Sequence, residues 1–196
     1  MLRKVLSSRK VILGSQSPRR QNLLKGLDLD FEVKTQNTDE SWPGHLSEAG
    51  IPEHISLMKS LVFGELDPLT ILITADTIVW SEGKPINKPK DTAEAIEMLS
   101  SLSGKTHYVY TGVTIRTSEG SNVFSDETAV EFRNFSRAEI EYYVANYSPL
   151  DKAGAYGVQD WIGYIGIERL DGCYYNVMGL PVRKVYEALI SLTRQN

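Results

Sequence analysis

Short apolar runs alternate along this chain with stretches that carry helix-capping signals, and this alternation restricts the fold more than any other feature. Val11-Ile12-Leu13 predicts a short buried strand. After the turn Gly14-Ser15-Gln16-Ser17, residues 18–25 predict a helix. Ser17 is its N-cap, Pro18 its first helical residue and Gly26 its stop, with Leu23, Leu24 and Leu27 as the apolar face. A second helix is expected over 52–63, with Ile55, Met58 and Val62 on one face, and a long β-branched strand over 69–80. Asp91 and Glu94 read as a capping box for a helix that runs to Leu102 and stops at Gly104; Ser136 and Glu139 open another to about Asn146. Residues 108–117 and 123–135 predict strands joined around Glu119-Gly120. Residues 164–170 and 174–177 predict a hairpin across Asp171-Gly172, and a helix over 181–192 closes the chain. Alternation argues for an α/β protein, and adjacent strands at the middle and end add antiparallel pairs, so the central sheet is mixed with helices flanking it.

At 196 residues and 41% hydrophobic, the chain can bury a full core, and residues 1–196 read as a single domain. A net charge of −4 is the wrong sign for gripping a nucleic-acid backbone, although a few local cations suffice for a small phosphorylated ligand. The run Val11-Ile12-Leu13 is too short for a signal-peptide core, and no run approaches the roughly 18 apolar residues of a membrane span. Cys173 is the one cysteine, which excludes an internal disulfide and suits a reducing compartment. These features predict a cytoplasmic protein with neither nucleic acid nor membrane as partner.

Four segments can carry chemistry. Ser15-Gln16-Ser17-Pro18-Arg19-Arg20 leads from a strand into a helix N-terminus, where unpaired N–H groups and the helix dipole favour an anion. Two arginines there oppose the dipole unless an anion sits between them; ordinary capping beside a solvated basic turn is the alternative. Asp76 interrupts Leu72-Ile73-Thr74-Ala75 and Thr77-Ile78-Val79, and a carboxylate inside an apolar strand is costly without a cation or hydrogen bonds. It reads as a metal ligand or general base, or else as a turn after a strand ending at Ala75. Lys84-Pro85-Ile86-Asn87-Lys88-Pro89-Lys90 is a proline-stiffened basic loop, which is either a lysine presented at low entropic cost or solvated surface. In 151–159, Gly154 and Gly157 permit close backbone approach to a ligand or simply a tight turn, and Gln159 offers an amide to a base edge. Ser103-Gly104-Lys105-Thr106 is not a P-loop, because Leu99 stands where that motif needs glycine. His45, His54 and His107 lack metal-ligand spacing. The tyrosines Tyr142, Tyr143 and Tyr147 read as packing.

In their order and spacing these segments resemble the Maf family of nucleotide pyrophosphatases, which are related in fold to the inosine triphosphate pyrophosphatases. The resemblance runs from Val11 to about Leu189. It rests on the segments 15–20, Ala75-Asp76-Thr77-Ile78-Val79, Asn87-Lys88-Pro89, Leu102-Ser103-Gly104 with His107, Thr111-Gly112-Val113, 151–157 and Gly179-Leu180-Pro181. It implies two lobes around a deep cleft, a homodimer, and hydrolysis of nucleoside triphosphates to monophosphate and pyrophosphate with Mg²⁺ or Mn²⁺. By position, Asp76 matches the general base and metal-associated carboxylate, and Glu40 a second acidic ligand. Lys59 and Lys88 match catalytic, phosphate-binding lysines, and Ser15, Ser17 and Arg20 the phosphate loop. Arg19, Thr77 and Gln159 match the positions of substrate choice and resemble the dTTP- and UTP-hydrolysing subfamily.

Two departures stand out. Thr74 replaces a glycine, and Asp160-Trp161 follow Gln159 where small residues are usual, which is expected to reshape the base pocket. Rival readings are a nucleotide-sensing regulator of cell division that does not turn over, and the same chemistry on methylated guanosine or modified pyrimidine triphosphates.

Overall fold

A computed structural model describes residues 1–192 of the chain. The last four residues of the expected 1–196 domain lie outside the described residues. The elements in order are α1 (Leu2–Val5), β1 (Lys10–Leu13), α2 (Pro18–Lys25), β2 (Glu32–Val33), α3 (Gly50–Leu61), β3 (Thr70–Ser81), β4 (Lys84–Ile86) and α4 (Thr92–Leu102). They continue with β5 (Thr106–Thr117), β6 (Gly120–Phe132), α5 (Arg137–Tyr147), α6 (Trp161–Gly166), β7 (Ile167–Gly172), α7 (Tyr174–Val177) and α8 (Val182–Leu192). The strands form one seven-stranded sheet in the order β2-β1-β3-β5-β6-β7, with β4 paired to β3. Pairing is parallel for β1 with β2 and β3, and antiparallel for β3 with β4 and β6 with β7, so the sheet is mixed.

Capping chemistry sets several helix ends as expected. Ser17 accepts the Arg20 amide at the start of α2 and Asp91 the Glu94 amide at the start of α4, while Ser136 and Glu139 complete a reciprocal box on α5. On α4 the box is shifted, because Glu94 reaches back to the Lys90 amide at 2.6 Å rather than to that of Asp91.

Contacts divide the chain into two compact units. The first comprises residues 1–76, 111–126 and the chain from Gly179 onward; the second comprises 77–110 and 127–178. In the first, β1, β3, α2 and α8 bury Val11, Ile12, Leu13, Ile71, Leu72, Ile73, Leu24 and Leu189. Helix α3 buries only part of the face expected of it, Ile55. Val62 is exposed and Met58 only half-buried, whereas Ile51, Pro52, Ile55, Ser56 and Ser60 face inward. Small residues are used because α3 presses directly on the sheet: a Cβ on Gly112 of β5 would lie 2.3 Å from the Pro52 carbonyl. At Gly112 itself no side chain fits between strand and helix. Hydroxyls fill the gap, with Ser56 and Thr114 bonded at 2.9 Å and Thr74 donating to the Ser56 carbonyl at 2.7 Å. Thr74 is therefore accommodated without ending β3, and its methyl lies where a Cβ on Gly14 would come within 2.7 Å.

The second unit has its own core, which includes Val79, Leu99, Leu102, Phe132, Tyr143, Tyr156 and Ile162. Here the expected hairpin over 164–177 is absent. Residues 161–166 form α6, 167–172 pair with β6, and 174–177 form a helical turn. Apolar and aromatic composition suggested strand, but packing overrides it. Gly163 and Gly166 allow α6 to pass so close to the Val158 carbonyl and the Phe135 ring that any Cβ would lie 2.0–2.1 Å from them. Beyond Gly172, the Thr128 hydroxyl bonds both the amide and the carbonyl of Cys173, and the buried Asn176 donates to Val109 and Thr128. These bonds turn the chain away from a partner strand.

His107 lies fully buried in this core, against Phe132 and Tyr156, with Nε2 2.8 Å from the Tyr156 hydroxyl. Burial pulls its imidazole down to about 4, so it is neutral in the folded protein near pH 7. The unfolded chain takes up this proton first, near pH 6.5, so stability is full above that pH and declines towards pH 4. The decline should approach about 3 kcal/mol. Urea unfolding across pH 4–7 should show it, with the slope reduced in His107→Gln.

Candidate active site

In the first unit the structure brings together Ser15, Ser17, Arg20, Glu40, Lys59 and Asp76. Strand β1 continues through Gly14, whose amide bonds the Ile73 carbonyl at 2.8 Å, and the chain then turns into α2. Ser15 is buried, and its Oγ accepts from the Ser17 amide at 3.3 Å and from Arg20 Nη1 at 3.4 Å. Arg20 Nε donates to the Gly179 carbonyl at 2.8 Å, which fixes the guanidinium beside the turn. Burial lowers the Arg20 pKa; Asp76 and Glu40 oppose that shift and Arg19 reinforces it. An arginine remains charged under such a shift. The loop is thus a cationic turn at a helix N-terminus, with carboxylates near enough to act on it.

Asp76 stands within β3, which runs unbroken from Thr70 to Ser81, so the alternative of a strand stopping at Ala75 is excluded. Lys59, in the last turn of α3, places Nζ 2.7 Å from Asp76 Oδ1 and 2.8 Å from Glu40 Oε1. Lys59 and Asp76 are largely buried, at 17% and 13% side-chain exposure, while Glu40 is 52% exposed. One ammonium therefore offsets two carboxylates, and its place at the helix C-terminal end suits the dipole. Glu40 comes from the loop between β2 and α3. There the Ser41 amide and hydroxyl both bond Asp39 and hold its carboxyl below the ordinary value.

Asp76 and Glu40 also form an apt pair for a divalent cation. Mg²⁺ takes one or two carboxylates from protein and completes its shell with water and substrate phosphate oxygens. Among the described residues there is no group of three or more His, Cys, Asp or Glu that could hold a metal ion by itself.

In the second unit two further candidates meet. The Gly154 amide donates to the Asn87 carbonyl at 3.2 Å, which ties the loop of Lys88 to the glycine-containing segment that leads to Gln159. Gly154 has φ +70° and lies against Val79, where a Cβ would come within 3.0 Å. Lys88 is exposed, Thr77 and Gln159 are half-buried, and the Gln159 Oε1 atom is buried without a hydrogen-bond partner. Asp160 and Trp161 are taken up by packing: Tyr143 donates to Asp160 Oδ2 at 2.8 Å, and Trp161 meets the Tyr142 ring edge-on at 4.9 Å. Tyr143, expected only as packing, is the residue that sequence reasoning missed. Its helical spacing showed burial and nothing in the sequence showed where its hydroxyl goes.

Residues 10–192 match the family described as Maf-like protein. The chain belongs to that family. Among curated Maf-like relatives, the dTTP/UTP pyrophosphatase of Bacteroides thetaiotaomicron is 50% identical over 189 residues, covering 95% of this chain and 98% of the relative. The dTTP/UTP pyrophosphatase of Flavobacterium johnsoniae is 44% identical over 193 residues, covering 98% and 100%. Of solved structures, the Staphylococcus aureus Ham1 protein aligns with a TM-score of 0.48 at 14% identity, over 63% of this chain and 72% of that one.

Two variants test how the site is built. Lys59→Met leaves Asp76 and Glu40 facing each other without their shared cation, and should cost about 1–3 kcal/mol in chemical denaturation at neutral pH. Gly112→Ala places a methyl in the Pro52 carbonyl, and should cost about 1–3 kcal/mol while displacing α3 and Lys59 with it.

Proposed function

We propose that this protein hydrolyses nucleoside triphosphates, dTTP and UTP foremost, to the nucleoside monophosphate and pyrophosphate. The observation that carries this reading is the shared Lys59 bridge between Asp76 and Glu40, set beside the Arg20 turn in a Maf-like chain. A site of this kind combines charges for holding phosphate with a carboxylate that can accept a proton.

Ser15, Ser17 and Arg20 hold phosphate oxygens at the start of α2, where N–H groups and a guanidinium converge. Asp76 orients a water and takes its proton as the oxygen attacks the α-phosphorus. The bond from that phosphorus to the α,β-bridging oxygen breaks, and pyrophosphate leaves with the electron pair. Lys59 supplies positive charge beside Asp76 and offsets the charge that builds on the phosphoryl oxygens. Mg²⁺ or Mn²⁺, held by Asp76 and Glu40, would supply further neutralisation of phosphate charge. Lys88 is assigned to the departing pyrophosphate. No covalent intermediate is needed.

Base choice is assigned to Arg19, Thr77 and Gln159. Uracil and thymine present an N3–H donor flanked by carbonyl acceptors, and the unpartnered Gln159 Oε1 is an acceptor suited to that donor. Residence in the cytoplasm and assembly as a homodimer belong to the same proposal. Among the described residues no helix is long and apolar enough to cross a membrane.

Incubation with a nucleotide panel and Mg²⁺ or Mn²⁺ should yield monophosphate and pyrophosphate, fastest from dTTP and UTP. Asp76→Asn should lower kcat by about 10²–10⁴-fold, with nucleotide binding retained. Release of orthophosphate and diphosphate, or full activity in the Asp76 variant, would remove the basis for this mechanism.

A further inference from the structure

The turn that carries Gln159 is held by more bonds than a connecting loop requires. The Asp160 amide donates to the Gly157 carbonyl at 3.0 Å, which closes residues 157–160 into one turn with Gln159 as its third residue. The Tyr143 hydroxyl bridges the same two ends, accepting from the Gly157 amide at 3.1 Å and donating to Asp160 Oδ2 at 2.8 Å. Tyr143 comes from α5, and its side chain is fully buried. Gly157 leaves room for the carboxylate to fold over the turn, since a Cβ there would lie 2.5 Å from Asp160 Oδ2. Beyond the turn, the Asp160 carbonyl accepts from Gly163 at 2.9 Å and Tyr164 at 3.3 Å and starts α6. Lys152 Nζ stands 3.8 Å from the same carboxylate oxygen. Asp160 occupies the N-cap position of α6, yet its side chain makes no cap bond there. Its oxygen is used on Tyr143 instead.

This arrangement bears on a chemical ambiguity of glutamine. A side-chain amide carries a donor and an acceptor of nearly equal shape. Presented one way it pairs with the N3–H and a carbonyl of uracil; turned over, it pairs equally well with the N3 acceptor and amino group of cytosine. Selection between the two bases therefore requires that the amide be held in one orientation. We infer that Tyr143 and Asp160 are positioning residues for base selection, locking the backbone of the 157–160 turn and with it the position from which Gln159 offers its amide to a uracil or thymine base. The inference rests on the reading of Gln159 as the base-facing residue, and adds Tyr143 and Asp160, which touch no substrate in this account.

The test compares kcat/KM for UTP and CTP in the intact protein and in Tyr143→Phe, Asp160→Ala, Asp160→Asn, Gln159→Ala and the double variant Tyr143→Phe/Gln159→Ala. Tyr143→Phe should lower the UTP-to-CTP ratio about tenfold, chiefly through KM for UTP. Asp160→Ala, which leaves the tyrosine in the core, should act in the same direction and serves if Tyr143→Phe does not fold. Asp160→Asn keeps an oxygen acceptor for the tyrosine and should retain the ratio to within about threefold. Once Gln159 is alanine, Tyr143→Phe should change the ratio no further, because a positioning residue acts only through the group it positions. A lowered melting temperature with an unchanged ratio would make the bridge structural only and overturn the inference. An equal loss of the ratio with and without Gln159 would overturn it as well, by showing another route. An unchanged ratio in Gln159→Ala alone would defeat the base-reading role of Gln159 and the inference with it, while leaving the pyrophosphatase reading intact.

Discussion

The first unit is organised by how closely α3 lies on the sheet. At Gly112 the helix backbone replaces the side chain that a strand residue would normally project, and the small hydroxyls of Ser56, Thr74 and Thr114 bond across the contact. Close approach of a polar-lined helix is tolerable only because each buried hydroxyl finds a partner there. The gain is positional. With α3 held at this distance, Lys59 in its last turn reaches a carboxylate on β3 that would otherwise be buried unpaired. An uncompensated Asp76 inside a strand would be strongly unfavourable, so the helix contact and the ion bridge depend on each other.

Around that bridge the polar groups are arranged by similar economy. Ser15 Oγ serves two donors, Arg20 is anchored through Nε to Gly179, and Glu40 arrives from an irregular loop steadied by the Asp39–Ser41 turn. Fixed orientation matters because electrostatic stabilisation of a reacting phosphate depends on charges already in place. The second unit uses one hydroxyl to comparable effect. Tyr143 holds the turn at Gln159, and the bond from Gly154 to Asn87 joins the segments that carry Gln159 and Lys88.

Most of the fold was legible because its signals are local. Ser17, Pro18 and Ser136 mark helix starts by bonds made within one turn, and β-branched runs mark β1 and β3. Where the reading failed, a long-range contact had overridden composition. Residues 164–166 and 174–177 look strand-like, but glycines that admit the Val158 carbonyl and the Phe135 ring, and a buried Asn176, make them helical, while 167–170 are strand as expected. On α3 Ile55 faces inward as expected but Met58 and Val62 do not, since periodicity locates apolar residues and here the closest contacts use serine and glycine.

Residue order alone dictated that Asp76, if it lies inside the strand, needs a cation or hydrogen bonds, because burying a carboxylate among apolar residues is costly. It also determined that residues 15–20 form a turn at a helix N-terminus, since Ser17 and Pro18 act within a few residues. Which cation answers Asp76, and that Glu40 shares it, came from packing, because Lys59 lies far from both carboxylates in sequence and could have faced solvent. The same holds for Asp160, whose carboxylate looked like an intrusion beside Gln159. Its role follows from the Tyr143 hydroxyl across the turn, a contact made by packing α5 against that segment and by nothing local.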